Sequence, residues 1–551
     1  MIQPHNFLFH RENRIIARQY TSGFMKRLLK NDWLLAVLSG LLFSLGWPTY
    51  GHPLFLFLAF VPLLFIIENK IDQPERKKLF IKIYLAFFIW NLLKTWWVWN
   101  ATPFGGSFAV IVNSLLMSLV FMLYYFVRKR VPLSIALAFF ISIWIAFEKF
   151  HLNWDFSWPW LNLGNGFANH PRWIQWYEYT GVFGGSFWIL LLNVMVFTAL
   201  RKYQVRQNRY FLIFRLIRIS LYLLIPLFFS WYLFKHYVPK GDSAKVLILQ
   251  PNLDPWNEKF RYTNEELAQD FLDLATGEAD LIIAPETAIS QYTEIKNFQY
   301  TKAYAVLKDY VEKHPGTAII TGVDFIHWYK STDSIPETAN RTPGGHWYDM
   351  YNSAVLIDGQ PGYKVYHKSK LVVGAEYTPY ARFLKPIIGD FMINLGTSMG
   401  SNVTQKERTV FIIKNGKIKV APIICYESIY GEYVAEYVQK GANLLAVITN
   451  DGWWKNTEGH RQHLTMSQLR AIENRRDVVR SANTGISAHI NQKGEILQSL
   501  AYEKRGALLA EVRLNEEKTF YTRHGDFIAR VAIFMAALLF LYSFSKKKVR
   551  L

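Results

Sequence analysis

The feature that most constrains this chain is where its positive charge falls. Eight apolar segments can be marked, at about 33–49, 54–67, 79–99, 107–127, 132–147, 182–200, 219–237 and 527–545. The connections between them alternate in Lys and Arg content. Arg11, Arg14, Arg18, Lys26, Arg27 and Lys30 precede the first segment, and the next connection, Thr49 to Pro53, has none. Lys70, Arg76, Lys77 and Lys78 follow, and Asn100 to Gly106 again has none. Arg128, Lys129 and Arg130 then lead to a long loop, 148–181, whose basic residues are Lys149 and Arg172. Arg201, Lys202, Arg206, Arg209, Arg215 and Arg218 stand before the seventh segment, and Lys546, Lys547, Lys548 and Arg550 after the eighth. A helix needs ~20 apolar residues to cross a bilayer, and basic connections stay on the cytoplasmic side. The reading is a membrane α-helical bundle of eight transmembrane helices: a cytoplasmic segment 1–32, helices 1–7 within 33–237, an extracytoplasmic domain 238–526, helix 8 at 527–545 and a cytoplasmic tail 546–551.

Composition matters at three points. The formal charge of +20 suggests nucleic acid until its placement is considered: the basic residues lie beside apolar runs, so no nucleic-acid partner is expected. One cysteine excludes an internal disulfide framework. No small-residue cleavage pattern follows the first apolar run, so it reads as an uncleaved anchor. The 148–181 loop holds Trp154, Trp158, Trp160, Trp173, Trp176, Tyr177 and Tyr179. That suits both an interfacial aromatic belt and a rim admitting lipid chains.

From Val246 the pattern becomes short β-like runs separated by polar helical stretches. Strands are expected at Val246–Gln250, Asp280–Ala284, Ala318–Val323, Ser353–Ile357, Thr409–Ile413, Ile418–Ile424, Leu444–Ile448, Ile486–Ile490 and Leu508–Val512. Helices are expected at Asn264–Thr276, Gln299–His314, Glu432–Lys440 and Arg461–Glu473. Such alternation implies an α/β domain on a largely buried sheet. Residues 327–350 read as a polar, turn-rich insertion forming a mobile loop near the site.

The chemistry centres on Val420-Ala-Pro-Ile-Ile-Cys-Tyr-Glu-Ser428, an apolar run ending on the one cysteine. A lone cysteine is more often a small buried hydrophobe than a nucleophile. Two other stretches reverse those odds. Leu281-Ile-Ile-Ala-Pro-Glu286 ends a second apolar run on a carboxylate, which a partly apolar setting would raise in pKa and suit to act as a base. Tyr366 to Pro379 supplies Lys368 and, eight residues on, Glu376. A thiol, a base and a cation, each at a strand mouth, are the parts of nucleophilic acyl transfer.

The three stretches in that order resemble the nitrilase superfamily, and with the membrane segments the chain resembles its membrane-bound branch, the apolipoprotein N-acyltransferase family. Thr449-Asn-Asp-Gly-Trp-Trp454, Arg470-Ala-Ile-Glu473, Arg480-Ser-Ala-Asn-Thr-Gly-Ile486 and Pro159-Trp-Leu161 add to the likeness. Lys370, Val373-Gly-Ala-Glu376 and Asp451-Gly-Trp-Trp454 depart from the family pattern beside the catalytic residues. The resemblance implies an α-β-β-α sandwich with a Glu286–Lys368–Cys425 triad. Glu376 and Glu427 would orient Lys368 and the second nucleophile, Tyr426 would shape an acyl pocket, and Trp256, Trp453 and Trp454 would bind substrate and shield a thioester.

It further implies transfer of a fatty acyl chain from a phospholipid to the N-terminal amine of a diacylglyceryl-modified apolipoprotein. The setting would be the bacterial inner membrane, with the catalytic domain periplasmic and the chain a monomer. No cofactor is expected, and His460 and His463, three apart on one helix, are read as non-metal for want of a third ligand. A membrane-tethered amidase with water as second nucleophile is the alternative. A transporter is disfavoured, because Lys94, placed near the outer end of the third span, is almost the one ionisable group well inside a span.

Overall fold

The structure, a computed structural model, describes residues 31–71, 76–256, 258–259, 261–336, 339–377, 379–380 and 401–545. The basic cluster up to Lys30, the tail from Lys546 and positions 337–338 of the insertion lie outside the described residues.

All eight apolar segments are helical: α1 (Asp32–Gly46), α2 (Pro53–Asn69, in three short pieces), α3 (Arg76–Thr95), α4 (Pro103–Arg128), α5 (Leu133–His151), α6 (Tyr177–Arg206), α7 (Arg209–His236) and a last helix, Phe527–Ser545. Among the described residues six are long and apolar enough to cross a membrane, α1 and α2 being shorter. Polar side chains set the starts. Asn31 caps α1 through the Leu34 N–H, and Thr102 caps α4 through the Gly105 N–H, with Pro103 in the first helical position. Near its start α6 bends at Gly181, whose φ of +59° and contact with the Tyr521 ring leave no room for a Cβ.

The two ends of the bundle differ in what holds them. At one end Glu68 accepts from Arg128 (2.7 Å) and Arg201 (2.8 Å), and Asp32 pairs with Lys82 at 2.8 Å. At the other end Lys94 meets Glu458 (3.4 Å), Lys149 meets Asp526 (2.8 Å) and Glu178 meets Arg475 (2.7 Å). These last pairs tie helix ends to the α/β domain, so Lys94 belongs to the junction and to no internal transport path.

The domain has two sheets. The first orders its strands β14-β1-β2-β4-β6-β5, with β3 added on β4 and β7 on β6. Its members are β1 (Asp242–Gln250), β2 (Leu281–Ile283), β3 (Ile289–Glu294), β4 (Ala318–Trp328), β5 (Asn340–Arg341), β6 (Trp347–Ile357), β7 (Lys364–His367) and β14 (Gly506–Leu514). The second runs β13-β12-β11-β10-β9-β8, from β8 (Phe411–Ile413), β9 (Ile418–Ile424), β10 (Leu444–Thr449), β11 (Val478–Ala482), β12 (Ser487–Ile490) and β13 (Ile496–Leu500). Two-residue alternation sorts the first sheet's faces. Val246, Ile248, Leu281, Ile283, Ala318, Ile320, Ala354 and Leu356 pack toward the second sheet. Leu247, Leu249, Ile282, Ile319, Val355 and Ile357 pack under α8 (Asn264–Leu272) and α9 (Lys302–Lys313). On the far side, α10 (Gly431–Gln439) and α11 (Glu458–Asn474) cover the second sheet. The result is the α-β-β-α sandwich, and each buried Val, Leu or Ile contributes roughly 1.5–3 kcal/mol.

Strands β3, β5, β7, β11 and β13 were not predicted, being short, polar or exposed. β11 reads as polar because of Arg480, whose guanidinium is buried against Asp451. The 327–350 stretch is turn-rich at 329–336 and 342–346, as expected, but strand at its margins and at Asn340–Arg341. Its two ends continue the ladder, Trp328 opposite Tyr348 and Asn340 also opposite Tyr348, because His346-Trp-Tyr348 supplies aromatic strand formers.

Candidate active site

β9 ends on Ile424, and the chain turns at once through Cys425, whose φ is +51°, a left-handed conformation costly for a residue with a Cβ. Three side chains hold the turn. Ser428 Oγ donates to the Cys425 carbonyl at 2.8 Å, and His463 Nε2 lies 3.1 Å from the same oxygen. Glu427 accepts from the Ile424 N–H (2.8 Å), the Ser369 N–H (2.7 Å) and the Tyr366 (2.6 Å) and Tyr433 (2.5 Å) hydroxyls. Its carboxylate therefore clamps the cysteine turn to the segment after Lys368. Glu427 does not touch the Lys368 ammonium that it was expected to orient: it follows Cys425 by two residues around a tight turn, which aims its side chain back at backbone N–H groups.

Opposite the thiol lies a charged cluster drawn from both sheets. Glu286 follows β2 across Ala284-Pro285, and its backbone crosses Gly322 of β4 so closely that a Cβ there would sit 2.7 Å from the Glu286 carbonyl carbon. Lys368 follows β7 directly. Its ammonium is 2.8 Å from Glu286 Oε1 and 2.8 Å from Glu376 Oε1. Asn352 of β6 donates to the same two carboxylates at 2.8 and 3.1 Å. The Asn450 N–H donates to Glu286 Oε2 at 3.0 Å, and the Val372 N–H fixes Glu376 Oε2 at 2.7 Å. The Cys425 thiol donates to Glu286, and the Thr449 hydroxyl lies against the sulfur while donating its proton to Asp451 Oδ1 at 2.9 Å.

These contacts reverse one sequence expectation. Burial alone would raise the Glu286 carboxyl, but the Lys368 charge and hydrogen bonds from Lys368, Asn352 and Cys425 outweigh it and hold the group below its ordinary value. Lys368 is held well above its own, since Glu286 and Glu376 overcome the opposing effect of burial. Burial, then the Glu286 charge, pushes the Cys425 thiol well up. The resting site is thus a neutral thiol hydrogen-bonded to an ionised carboxylate beside an ammonium.

On its other side Cys425 borders an apolar cavity of about 260 Å³. Tyr426 and Trp454 line it, with Val372, Val373 and Trp158 near the thiol and Phe104, Phe108, Val112 and Leu116 of α4 deeper in. The aromatic loop forms one wall. Trp160 is fully buried and donates to Gln462 at 2.6 Å, and the Trp97, Trp160 and Trp454 rings pack with centroids 4.8–5.7 Å apart. Trp256 and Trp453 are placed elsewhere: they stack edge to face at 4.8 Å, Trp256 half exposed, and neither lines this cavity.

Cys425, Asp451 and His463 bring three potential metal-ligating atoms within 4.8 Å. Their donor atoms are committed elsewhere. Asp451 is paired with Arg480, His463 and Thr449, and His463 spans Asp451 and the Cys425 carbonyl. The set fits a brace under the cysteine turn. His460 is turned away from it, stacked on Tyr502 at 4.4 Å. Sequence reasoning missed Asn352, Thr449 and Asn450. Thr449-Asn450 was visible within a quoted motif, whereas Asn352 carried no signal beyond a polar residue in an apolar strand.

Two family models match the chain: "Apolipoprotein N-acyltransferase N-terminal domain" over residues 39–195 and "Carbon-nitrogen hydrolase" over 249–522. An apolipoprotein N-acyltransferase from Chlorobaculum tepidum is 31% identical over 96% of this chain and 99% of its own. One from Geobacter metallireducens is 29% identical over 94% of this chain and 96% of its own. Among solved structures, a nitrilase-superfamily amidase from Nesterenkonia overlaps 53% of this chain and 98% of its own at 16% identity, with a TM-score of 0.34. Both family matches lie on one chain that aligns with a 31% identical relative over nearly all of both lengths, and the chain belongs to the apolipoprotein N-acyltransferase family.

Proposed function

We propose that this protein moves a fatty acyl chain from a membrane phospholipid to the α-amino group of a diacylglyceryl-modified N-terminal cysteine on an apolipoprotein, through a thioester on Cys425. One observation carries the reading: the thiol lies between an ionised carboxylate and an apolar cavity that descends along α4. A water-soluble amide would use the first and have no need of the second.

In the first half-reaction the acyl chain occupies the cavity and the ester carbonyl comes to the thiol. Glu286 takes the Cys425 proton as the S–C bond forms, so its lowered pKa keeps it ready to accept. Lys368 faces the developing oxyanion, where one such donor typically contributes ~2.7–4 kcal/mol. Glu286 then returns the proton to the leaving glycerol oxygen, and lysophospholipid departs. In the second half the acceptor amine attacks the thioester, the C–N bond forms, and the thiol is regenerated, giving ping-pong kinetics. Glu376 fixes the Lys368 ammonium, Glu427 the cysteine turn, and Tyr426 and Trp454 the cavity wall. Trp256 and Trp453, packed on each other outside the cavity, would slow hydrolysis of the thioester by keeping water from it. No cofactor enters this scheme.

The charge alternation supports a catalytic domain, 238–526, on the periplasmic face of a bacterial inner membrane, with both termini cytoplasmic. Incubating the purified protein with phospholipid labelled in its acyl chain tests the chemistry. A hydroxylamine-labile acyl adduct on Cys425, discharged by a lipopeptide with a free N-terminus, is the expected result. Labelled free fatty acid in place of acylated peptide would refute the transferase reading.

A further inference from the structure

One carboxylate beside the triad has no role in the chemistry above. Asp324 lies on β4, cross-strand from Asn352 on β6. The register puts both side chains on one face, because Ile319, Val323 and Phe325 pack outward under α9 while Ala318 and Ile320 pack inward. Directly opposite residues bring their Cβ atoms to about 5 Å. Asn352 donates to Glu286 and Glu376, so Asp324 borders the same two carboxylates. Gly322, two residues back on that face, is the position over which the Glu286 backbone crosses.

The charges around Asp324 do not balance. Lys259, Glu286, Glu376 and Lys368 all act on it. Counting Asp324 itself, two ammoniums face three carboxylates in this cluster. Lys259 is buried with its ammonium on the Thr287 hydroxyl, and the Asp324 carboxylate has no hydrogen-bond or ion-pair partner among the described residues. Asp324 is only partly buried, next to the half-exposed ring of Tyr292, so an incoming group can reach it. Burial pushes its carboxyl up to about 7, with Lys259 acting against the push and Glu286 and Glu376 adding to it. The place is built for one more cation.

We propose that Asp324 receives the acceptor's N-terminal ammonium and takes its first proton before attack on the thioester; this rests on the transferase reading above. The step balances. The ammonium gives one proton to Asp324, and the neutral amine attacks the acyl carbonyl. The C–N bond forms, the C–S bond breaks, the second amine proton passes through Glu286 to the Cys425 sulfur, and Asp324 releases its proton to water.

The test uses the full-length protein in lipid nanodiscs, acylated with labelled phospholipid and chased with two nucleophiles. One is a lipopeptide whose α-amine is mostly cationic at pH 7; the other is hydroxylamine, which is mostly neutral there. For Asp324→Asn the expected result is a thioester whose discharge by lipopeptide falls about 10- to 100-fold, the size of one charge-assisted hydrogen bond, with discharge by hydroxylamine within about twofold. Asp324→Glu, which keeps the charge, should recover a large part of the lipopeptide rate. An equal fall with both nucleophiles, no fall with either, or failure of the Asn variant to form a thioester would each overturn the assignment. A wild-type protein that forms no thioester would instead sink the transferase reading, and is read before any variant is compared.

Discussion

The two sides of Cys425 are built on different principles. One is a set of polar groups from the two sheets, several placed by strand ends (Glu286 after β2, Lys368 after β7, the Asn450 N–H after β10), with Asn352 reaching in from the middle of β6. The other is an apolar cavity whose depth comes from α4 and whose wall comes from the aromatic loop. In the proposed reaction, bond-making belongs to the sandwich and accommodation of the chain to the bundle. The contrast teaches that chemistry and chain-length preference should be separable by mutation, although they meet at one sulfur atom.

The largest effects test the charged side. Cys425→Ser should remove the thioester and lower turnover by about 10⁴-fold or more, read by intact-protein mass spectrometry, while the protein still inserts and folds. Normal turnover in that variant would dissolve the comparison. Lys368→Met should slow thioester formation by about 100- to 1,000-fold. It should also move the acidic limb of the rate profile to higher pH. Without the ammonium, burial and the neighbouring Glu376 raise the Glu286 carboxyl, so a higher pH is needed to ionise the base. A slower enzyme with an unmoved limb would show that Lys368 does not hold that carboxylate down.

The cavity side should respond more gently. Val112→Trp, which fills the cavity well away from the thiol, should cut the rate with long-chain donors about tenfold while leaving short-chain donors nearly unchanged, read by competition between the two. Equal losses with both would mean that the chain lies elsewhere. The smallest effect is expected at Trp256→Ala. Loss of its edge-to-face contact with Trp453 should raise hydrolysis of the thioester about two- to fivefold, measured as labelled free fatty acid, with little change in thioester formation.

Much of this arrangement was legible beforehand, for identifiable reasons. Glu286 and Cys425 close apolar runs, so their positions at strand mouths followed from pattern alone, whereas Lys368 follows β7, a short strand that the pattern did not reveal. The sandwich's central strands were legible because both faces are buried. Asn352 and Asp324 were not, since each is one polar residue inside a strand and its direction depends on pairing across about thirty residues. Of Glu376 and Glu427, expected to orient Lys368 and the second nucleophile, Glu376 meets the ammonium and Glu427 is aimed elsewhere, for the same kind of reason. Spacing along the chain did not reveal that a tight turn sends that carboxylate to the N–H groups of Ile424 and Ser369.

The amino-acid sequence by itself determined the eight apolar helices, the alternation of basic connections between them, and the order of glutamate, lysine and cysteine. These depend on hydrophobic transfer and on local runs of residues, which act over short stretches of chain. Only the tertiary structure decided which carboxylate faces the ammonium, whether Glu286 is held low or raised, and that the thiol opens onto α4. Those outcomes depend on distances of a few ångströms between segments far apart in the chain. Coulomb energy and desolvation change steeply over such distances, and strand register sets them.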